Sequence, residues 1–555
     1  MQPPARSSGD DVHLLSATDR VATRQADVAA AEPWWKSAVI YQIYPRSFQD
    51  SNGDGVGDLA GVLQRLDALV ALGVDAVWLS PFYRSPMADF GYDVRDHVSV
   101  DPIFGDMADV RALVRGCRDR GLKLIVDYIP NHTSDRHLWF AESRSSRTNP
   151  RRDWYVWRDA APDGGPPNNW LSEFGGPAWT WDPGRQQYYY HAFLGCQPDL
   201  NWRCPAVVEA MLNVMRFWLD RGVDGFRVDA IHHLMEREDL ADNPGNPLWR
   251  EGMDPADRLL RAGTVDQPDV HGAVSVMRRV LDEYPGEHVL IGEAYLPLER
   301  LVTYYGAPDA GFHLPFNFHL MATPWTPTAV ASLVAAYERQ LPDHGWPNWV
   351  LSNHDRSRLV SRIGASQARV AAMLLLTLRG TPTLYQGDEL GMADVEIPRD
   401  RVRDPLEINV PGLGLGRDPA RTPMMWSPEP YAGFSSVEPW LPLSPDWRDL
   451  NVQSQAAKPG SVLRLYAALL ALRRAEPALR LGAYQPFAAT DGLLAYERRL
   501  GTGRLLIVLN MSARPEPINA PPGQIVMITQ GEPLGTHDGG LLDVAAHQGL
   551  ILRLA

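Results

Sequence analysis

The sequence predicts an α/β fold: a (β/α)8 TIM barrel with an inserted domain after its third strand, followed by a C-terminal all-β sandwich domain. Three observations carry this prediction. From about residue 34 to residue 475, eight short apolar runs alternate with helical segments, the mark of a parallel sheet closed by crossover helices. Four of the runs end in acidic segments: Asp127-Tyr-Ile-Pro-Asn-His132, Gly225-Phe-Arg-Val-Asp229, Ile291-Gly-Glu293-Ala294 and Leu351-Ser-Asn-His-Asp355. After about residue 476 the pattern changes to strand-like runs with no helix between them.

The elements follow in chain order. Residues 1–32 mix Ser, Asp, Arg and Ala without periodicity or aromatic residues, and are expected to form a disordered extension. Barrel strands are predicted over Val39–Phe48, Val74–Pro81, Lys123–His132, Gly225–Ala230, Val289–Ala294, Leu314–Phe318, Trp349–Asp355 and Thr381–Glu389. Leu59, Val62, Leu63, Leu66, Leu69 and Val70 recur at helical spacing and predict a helix over Leu59–Leu72; Val207–Leu219 repeats the pattern. Both run into a glycine, at Gly73 and Gly222, as helix C-termini commonly do. Residues 133–204 are rich in Trp, Pro and Asn and too long for a simple loop, which predicts a domain inserted over the top of the barrel. The barrel then occupies 33–132 and 205–475, with a second insertion near 390–455. Within 476–555, Leu493–Leu500, Arg504–Asn510, Gln524–Thr529 and Gly549–Leu554 predict the sandwich.

Composition excludes several classes. Lys+Arg 53 against Asp+Glu 67 gives a formal net charge of −14, which repels phosphate backbones and anionic lipid surfaces. Nucleic acid is therefore not an expected partner. No apolar stretch approaches the roughly 20 residues of a membrane span, and the N-terminus lacks a secretory apolar core, so a cytoplasmic location is expected. Cys117, Cys196 and Cys204 are too few for a disulfide framework and are read as reduced thiols, although a Cys196–Cys204 bridge is geometrically open.

The acidic strand ends decide the chemistry. A parallel barrel strand is buried on both faces, so a carboxylate at its C-terminal end is costly unless it faces a site, and barrel active sites lie at that end. Asp229 and Glu293 end the fourth and fifth strands, and neighbouring strands lie about 4.8 Å apart. Their carboxyls are thus expected at about 5–5.5 Å, the spacing of a nucleophile and proton donor in double-displacement glycoside hydrolysis. Arg227, two residues before Asp229, shares its strand face and would keep it ionised.

With these four motifs in this order, the chain resembles the α-amylase family of glycoside hydrolases, in its α-glucosidase and oligo-glucosidase branch. The resemblance runs from about Trp34 through the last barrel strand. It implies Asp229 as nucleophile, Glu293 as general acid/base, and Asp355 as the carboxylate holding the sugar 2- and 3-hydroxyls. His132 and His354 match motif histidines that contact the same glucose. Ala88-Asp89-Phe-Gly-Tyr92-Asp93 resembles the loop whose Asp and Tyr bind the non-reducing sugar, and Gly416-Arg417 opens a stretch whose Arg pairs with that Asp. Asp89 and Arg417 would then close the pocket and make the enzyme exo-acting. Ala230, just after the nucleophile, is the position where the resembling enzymes carry Val with α-1,6 cleavage and a smaller or polar residue with α-1,4 cleavage.

Asp50-Ser-Asn52-Gly-Asp54-Gly-Val56-Gly-Asp58 puts oxygen donors at alternating positions, as calcium loops do, yet Gly61 stands where an EF-hand needs Glu. The resemblance implies a structural cation here, Ca2+ or Mg2+, held by Asp50, Asn52, Asp54, the Val56 carbonyl and Asp58. No organic cofactor is expected. Trp170, Trp179 and Trp181 in the inserted domain are candidate sugar platforms; the adjacent His232 and His233 lack metal-ligand spacing. The resulting expectation is a retaining α-glucosidase that releases terminal glucose from short α-1,4 oligosaccharides such as maltose, with some transglucosylation. The alternative is a glucosyltransferase or sucrose/trehalose-type isomerase with the same constellation. A non-catalytic relative would have lost the carboxylates, and a phosphate-binding barrel would need a glycine-rich helix N-terminus after the eighth strand, where this chain has Gln386-Gly-Asp-Glu389.

Overall fold

A computed structural model describes residues 32–531 and 535–555; the expected disordered extension, apart from Glu32, lies outside the described residues. Eight parallel strands form one sheet: β1 Ile40–Ile43, β2 Ala76–Leu79, β3 Lys123–Tyr128, β4 Gly225–Val228, β5 Val289–Gly292, β6 Leu314–Pro315, β7 Asn348–Val350 and β8 Thr381–Tyr385. The ladder runs β6-β5-β4-β3-β2-β1-β8-β7, so among the described residues only β6 and β7 are left without hydrogen bonds to each other. Seven of the strands are buried at every residue from end to end, and in β3 only the first residue, Lys123, is partly open. That is the burial expected of a barrel wall covered by helices outside and side chains inside.

Seven long helices cover the wall: α1 Leu59–Leu72, α2 Met107–Asp119, α3 Pro205–Leu219, α4 Val270–Asp282, α5 Pro327–Gln340, α6 Ala368–Thr377 and α7 Val462–Ala475. Between β5 and β6 two short helical turns, Leu298–Leu301 and Val302–Tyr305, stand in for an eighth. The ends of α1 are fixed locally. Asp58 caps it by accepting from the Gly61 N–H at 2.7 Å, and Gly73, at φ +101°, closes it with a hydrogen bond from its N–H to the Leu69 carbonyl at 3.0 Å. In α3, Pro205 stands in the first turn, where a missing N–H costs nothing, and Val207, Met211, Met215 and Trp218 make the buried stripe.

The strands are shorter than the apolar runs suggested, and the reason is visible at their C-terminal ends. β1 stops before Pro45, which opens a single turn over Pro45–Ser47; β3 stops two residues before Pro130; β8 stops before Gly387, at φ +93°. Proline removes a ladder donor and glycine permits a left-handed turn, so the chain bends inward where the motif residues begin.

Between β3 and α3, a helix Leu138–Ser145 packs beside a small antiparallel sheet of Trp157–Arg158, Gln187–Tyr190 and Trp179–Asp182. Trp170 and Trp179, expected as sugar platforms, are buried in its core instead. Their rings stack 6.1 Å apart, and their indole N–H groups donate to the Ala241 carbonyl and Asn168 Oδ1. Trp181 is the exposed one of the three and leans edge-on against Tyr188. The stretch 390–455 has little regular structure beyond short turns and the helices Pro405–Asn409 and Val452–Ala457.

The C-terminal region holds a six-stranded antiparallel sheet, Ala483–Ala489, Leu493–Leu500, Gly503–Asn510, Gly549–Leu554, Gly523–Ile528 and Gly535–His537 in spatial order, and a two-stranded sheet, Glu516–Ala520 with Gly540–Val544. Alternation assigns the two faces of the large sheet. Leu506, Val508, Leu550 and Leu552 pack against Ile518, Ala520 and Val544 of the small sheet. The opposite face, with Leu494, Tyr496, Leu505, Ile507 and Ile551, joins the barrel's own core, where the Tyr496 hydroxyl meets Thr377 Oγ1 of α6 at 2.6 Å.

Candidate active site

β4 and β5 pair with Val228 opposite Gly292, so the next residue on each strand, Asp229 and Glu293, leaves the ladder side by side. Their backbone N–H groups still donate inside the wall, Asp229 to the Tyr128 carbonyl and Glu293 to the Val228 carbonyl, both at 2.9 Å. Arg227, on the Asp229 face of β4, is almost wholly buried and gathers three carboxylates. Its Nη1 lies 2.8 Å from Asp127 Oδ1 and 2.7 Å from Asp229 Oδ1, and its Nη2 lies 2.7 Å from Glu293 Oε2. Trp78 roofs the guanidinium at 5.1 Å. Ala230 then takes a left-handed conformation, φ +45°, which turns its N–H onto Glu293 Oε2 at 2.9 Å.

One guanidinium faces three acids in a buried pocket. Burial raises the Asp229 carboxyl well above the usual carboxylate range, with Arg227 opposing and Glu293, Asp127 and Asp355 reinforcing the shift. Burial likewise pushes Asp127 up to about 7 despite its ion pair. The cluster therefore favours keeping a proton among its carboxyls near neutral pH.

A second network stands beside it. Arg421 donates from Nη2 to Asp355 Oδ1 at 2.9 Å and from Nε to the His354 carbonyl at 2.8 Å. Arg417 lies 2.8 Å from Asp89, 2.6 Å from Asp404 and 3.4 Å from Asp355. Burial works against the charge on Asp355, but His354, Arg421, Arg417 and Arg227 outweigh it and hold the carboxyl well below the usual range. Asp89 is raised by burial, with Arg417 and Arg421 opposing.

Tyr92 joins the two networks. Its hydroxyl sits 3.1 Å from Asp127 Oδ2 and 2.7 Å from His354 Nε2, and its ring stacks on the His354 ring at 5.4 Å. Gln42 Nε2 lies 2.8 Å from His354 Nδ1, which assigns the ring proton to Nε2, facing Asp355 at 3.3 Å. Burial pushes both His354 and His132 down to about 3, so both imidazoles are neutral. His132 is held apart from the carboxylate trio: its Nε2 lies 3.2 Å from the Tyr92 carbonyl and 3.2 Å from Gln197, which also reaches Asp89.

Every predicted catalytic and sugar-side residue thus converges on one barrel mouth, with His132 at its edge. Sequence reasoning left Asp127, Arg421, Asp404, Gln42 and Gln197 without a role. Asp127 and Arg421 lie inside segments already singled out, so their strand-end and near-motif positions were usable signals. Gln42 and Gln197 carry no local signal.

The Asp50–Asp58 loop contacts residues 434–440 rather than the carboxylates. Asp50 accepts from the N–H groups of Asn52, Gly53 and Gly55 and from Ser435 Oγ at 2.6 Å; Asp54 accepts from the Val56 N–H at 2.8 Å; Asp58 accepts from Ser51 and Gly61. Gly55, at φ +87°, brings its backbone so close to Glu438 that a Cβ would lie 2.5 Å from the Glu438 carbonyl oxygen. Among the described residues no three His, Cys, Asp or Glu side chains are grouped to hold a metal. The donor chemistry still suits a hard cation, because oxygens alternate along a tight loop and hydrogen-bonded carboxylate oxygens retain lone pairs.

Residues 42–482 match the alpha amylase catalytic domain family. The chain belongs to that family of glycoside hydrolases. It is 44% identical over 494 residues to a probable alpha-glucosidase of Rhizobium meliloti, covering 86% of this chain and 89% of that one. Among solved structures it is similar to the alpha-glucosyl transfer enzyme XgtA, with a TM-score of 0.90, 42% identity, and coverage of 94% of this chain and 100% of that one. It is similar also to the trehalulose synthase MutB of Pseudomonas mesoacidophila MX-45, with a TM-score of 0.87, 33% identity, and coverage of 94% and 100%. Within the family, loss of the strand-end carboxylates would mark a non-catalytic member; here all of them are present and brought together.

Proposed function

We propose that this family member is a retaining, exo-acting α-glucosidase that removes terminal glucose from short α-1,4-linked oligosaccharides such as maltose, with some transfer to sugar acceptors. The observation that carries the reading is the shared guanidinium: Arg227 binds Asp229 and Glu293 through its two terminal nitrogens. Two carboxyls bridged by one arginine are held near each other, which supports the closer spacing of a double displacement over the wider one that an inverting water needs. In the first step Asp229 attacks the anomeric carbon, forming a glucosyl ester while the bond to the leaving oxygen breaks; Glu293 gives that oxygen its proton. In the second, Glu293 takes a proton from water, whose oxygen displaces Asp229 from the same carbon. Arg227 opposes the protonation of Asp229 that burial and the neighbouring carboxyls favour, rather than fixing it as ionised as the sequence predicts, and the Ala230 N–H steadies Glu293.

Asp355, held ionised by Arg421 and Arg417, is suited to accept from the 2- and 3-hydroxyls, with neutral His354, Tyr92 and His132 completing the glucose contacts. The Asp89–Arg417 ion pair closes the far end, which supports exo-action. The small Ala230 beside the acceptor side supports α-1,4 preference. Asp50, Asn52, Asp54, the Val56 carbonyl and Asp58 would hold a structural Ca2+ or Mg2+. Three unpaired cysteines support the cytoplasmic reading, and among the described residues no helix is long and apolar enough to cross a membrane.

A second reading, a glucosyltransferase or sucrose-type isomerase, is favoured by the likeness to XgtA and MutB. Product analysis on maltose, isomaltose and sucrose separates the two. The first reading expects free glucose from maltose to dominate, with isomaltose a poorer substrate; sucrose converted mainly to an isomeric disaccharide would establish the second.

A further inference from the structure

On the flank of the barrel, away from the carboxylates, a cleft of about 540 Å³ opens between the hairpin strands Tyr83–Arg84 and Asp96–Val100, the helix Leu138–Ser145 and Val214 of α3. Arg84, Arg95 and Arg136 line it, all three exposed, and none makes an ion pair or a side-chain hydrogen bond among the described residues. The one acidic group in the lining, Asp96, has its oxygens engaged by the Val98 N–H at 3.0 Å and Ser99 Oγ at 2.5 Å. The lining therefore carries an excess of positive charge in a chain whose net charge is −14. The barrel mouth has the opposite balance, with Asp89, Asp127, Asp229, Glu293, Asp355 and Asp404 against Arg227, Arg417 and Arg421. An anion is thus repelled from the sugar site and drawn to the flank.

The cleft floor adds a second feature. His97 is 2% exposed, and its Nε2 lies 3.2 Å from the Ile129 carbonyl, so that nitrogen carries the ring proton. Its Nδ1 is left a buried acceptor without a donor. Burial pushes His97 down to about 4, which keeps that lone pair free at neutral pH. A buried acceptor without a partner is costly, and a ligand hydroxyl would satisfy it.

We propose that this cleft binds a small phosphorylated sugar, its phosphate on Arg84, Arg95 and Arg136 and a hydroxyl on His97 Nδ1. Guanidiniums pair with phosphate oxygens in charge-assisted bonds, and the neutral imidazole supplies the acceptor that phosphate alone does not use. The site touches both segments that shape the sugar pocket. Asp89 and Tyr92 lie in the loop joining the two hairpin strands, and Arg136 follows His132 by four residues. Occupancy would brace these segments against each other.

The test is calorimetric titration of the intact enzyme with glucose 6-phosphate, inorganic phosphate and glucose, repeated on R84A/R95A/R136A. These side chains are exposed and make no ion pair or side-chain hydrogen bond among the described residues, so the variant should keep the parent's melting temperature and maltose turnover. Expected is saturable binding in the order glucose 6-phosphate, then inorganic phosphate, with the triple variant at least tenfold weaker for both. Phosphate binding as tightly as the sugar phosphate would overturn the assignment of a sugar phosphate, because the hydroxyl would then add nothing. Unchanged affinities in the triple variant, or inhibition by glucose 6-phosphate that is competitive with maltose and unaffected by the three substitutions, would overturn it.

Discussion

At the residue scale the account rests on Arg227, which gives Asp229 and Glu293 different surroundings although both touch it. Asp229 has the guanidinium's Nη1, shared with Asp127, whereas Glu293 has Nη2 and the Ala230 N–H. The left-handed Ala230 makes the second contact possible, and a β-branched residue would strain that conformation. If Glu293 is the proton donor, Glu293→Gln should lower maltose hydrolysis by about 10²–10⁴-fold, the usual worth of a positioned acid. An α-glucosyl fluoride needs no proton on its leaving group and should lose far less in the step that forms the glucosyl ester. Equal losses on both substrates would take the acid role away from Glu293.

At the element scale, the parallel strands were legible because a wall buried on both faces leaves unbroken apolar runs, and their acidic ends were legible because a carboxylate there has to face a site. Their lengths were not, since Pro45, Pro130 and Gly387 bend the chain inward before the apolar run ends. The C-terminal strands Ala483–Ala489, Glu516–Ala520 and Gly540–Val544 were missed for a related reason: their outward residues are exposed and their Pro and Gly content hides the alternation. The end of β8 offers a test of the electrostatics of burial. Glu389 accepts from the Tyr41 hydroxyl at 2.7 Å and the Gly387 N–H at 2.9 Å, and burial raises it from an ordinary 4.5 to about 7. The folded state then binds more protons than the unfolded one between these values. Its contribution to stability is full below about 4.5 and is lost as pH rises through about 7, up to about 3 kcal/mol. Urea unfolding of the parent and Glu389→Gln at pH 5 and pH 8 should show the variant gaining on the parent at the higher pH; a pH-independent difference would show that Glu389 titrates normally.

At the scale of the whole molecule, the site depends on segments far apart in the chain. Arg417 and Arg421 come from the irregular stretch after β8, Gln197 from the inserted domain and Gln42 from β1, so a sequence without distances shows the motif residues but not what locks them. Trp170 and Trp179 mark the same limit, because aromatic richness alone does not separate a sugar platform from the core of a small inserted domain. The Asp50–Asp58 loop ties β1 to residues 434–440, remote from the carboxylates. If it holds a cation, chelation should lower the melting temperature and added Ca2+ should restore it in a concentration-dependent way, with turnover of the folded enzyme little changed. Turnover abolished at an unchanged melting temperature would place the ion in the chemistry instead. The central claim is double displacement at Asp229 with Glu293 as acid and base. Proton NMR of maltose hydrolysis, read before mutarotation, tests it most directly: the account predicts α-glucose as the first product released from the non-reducing end, and β-glucose appearing first would contradict it.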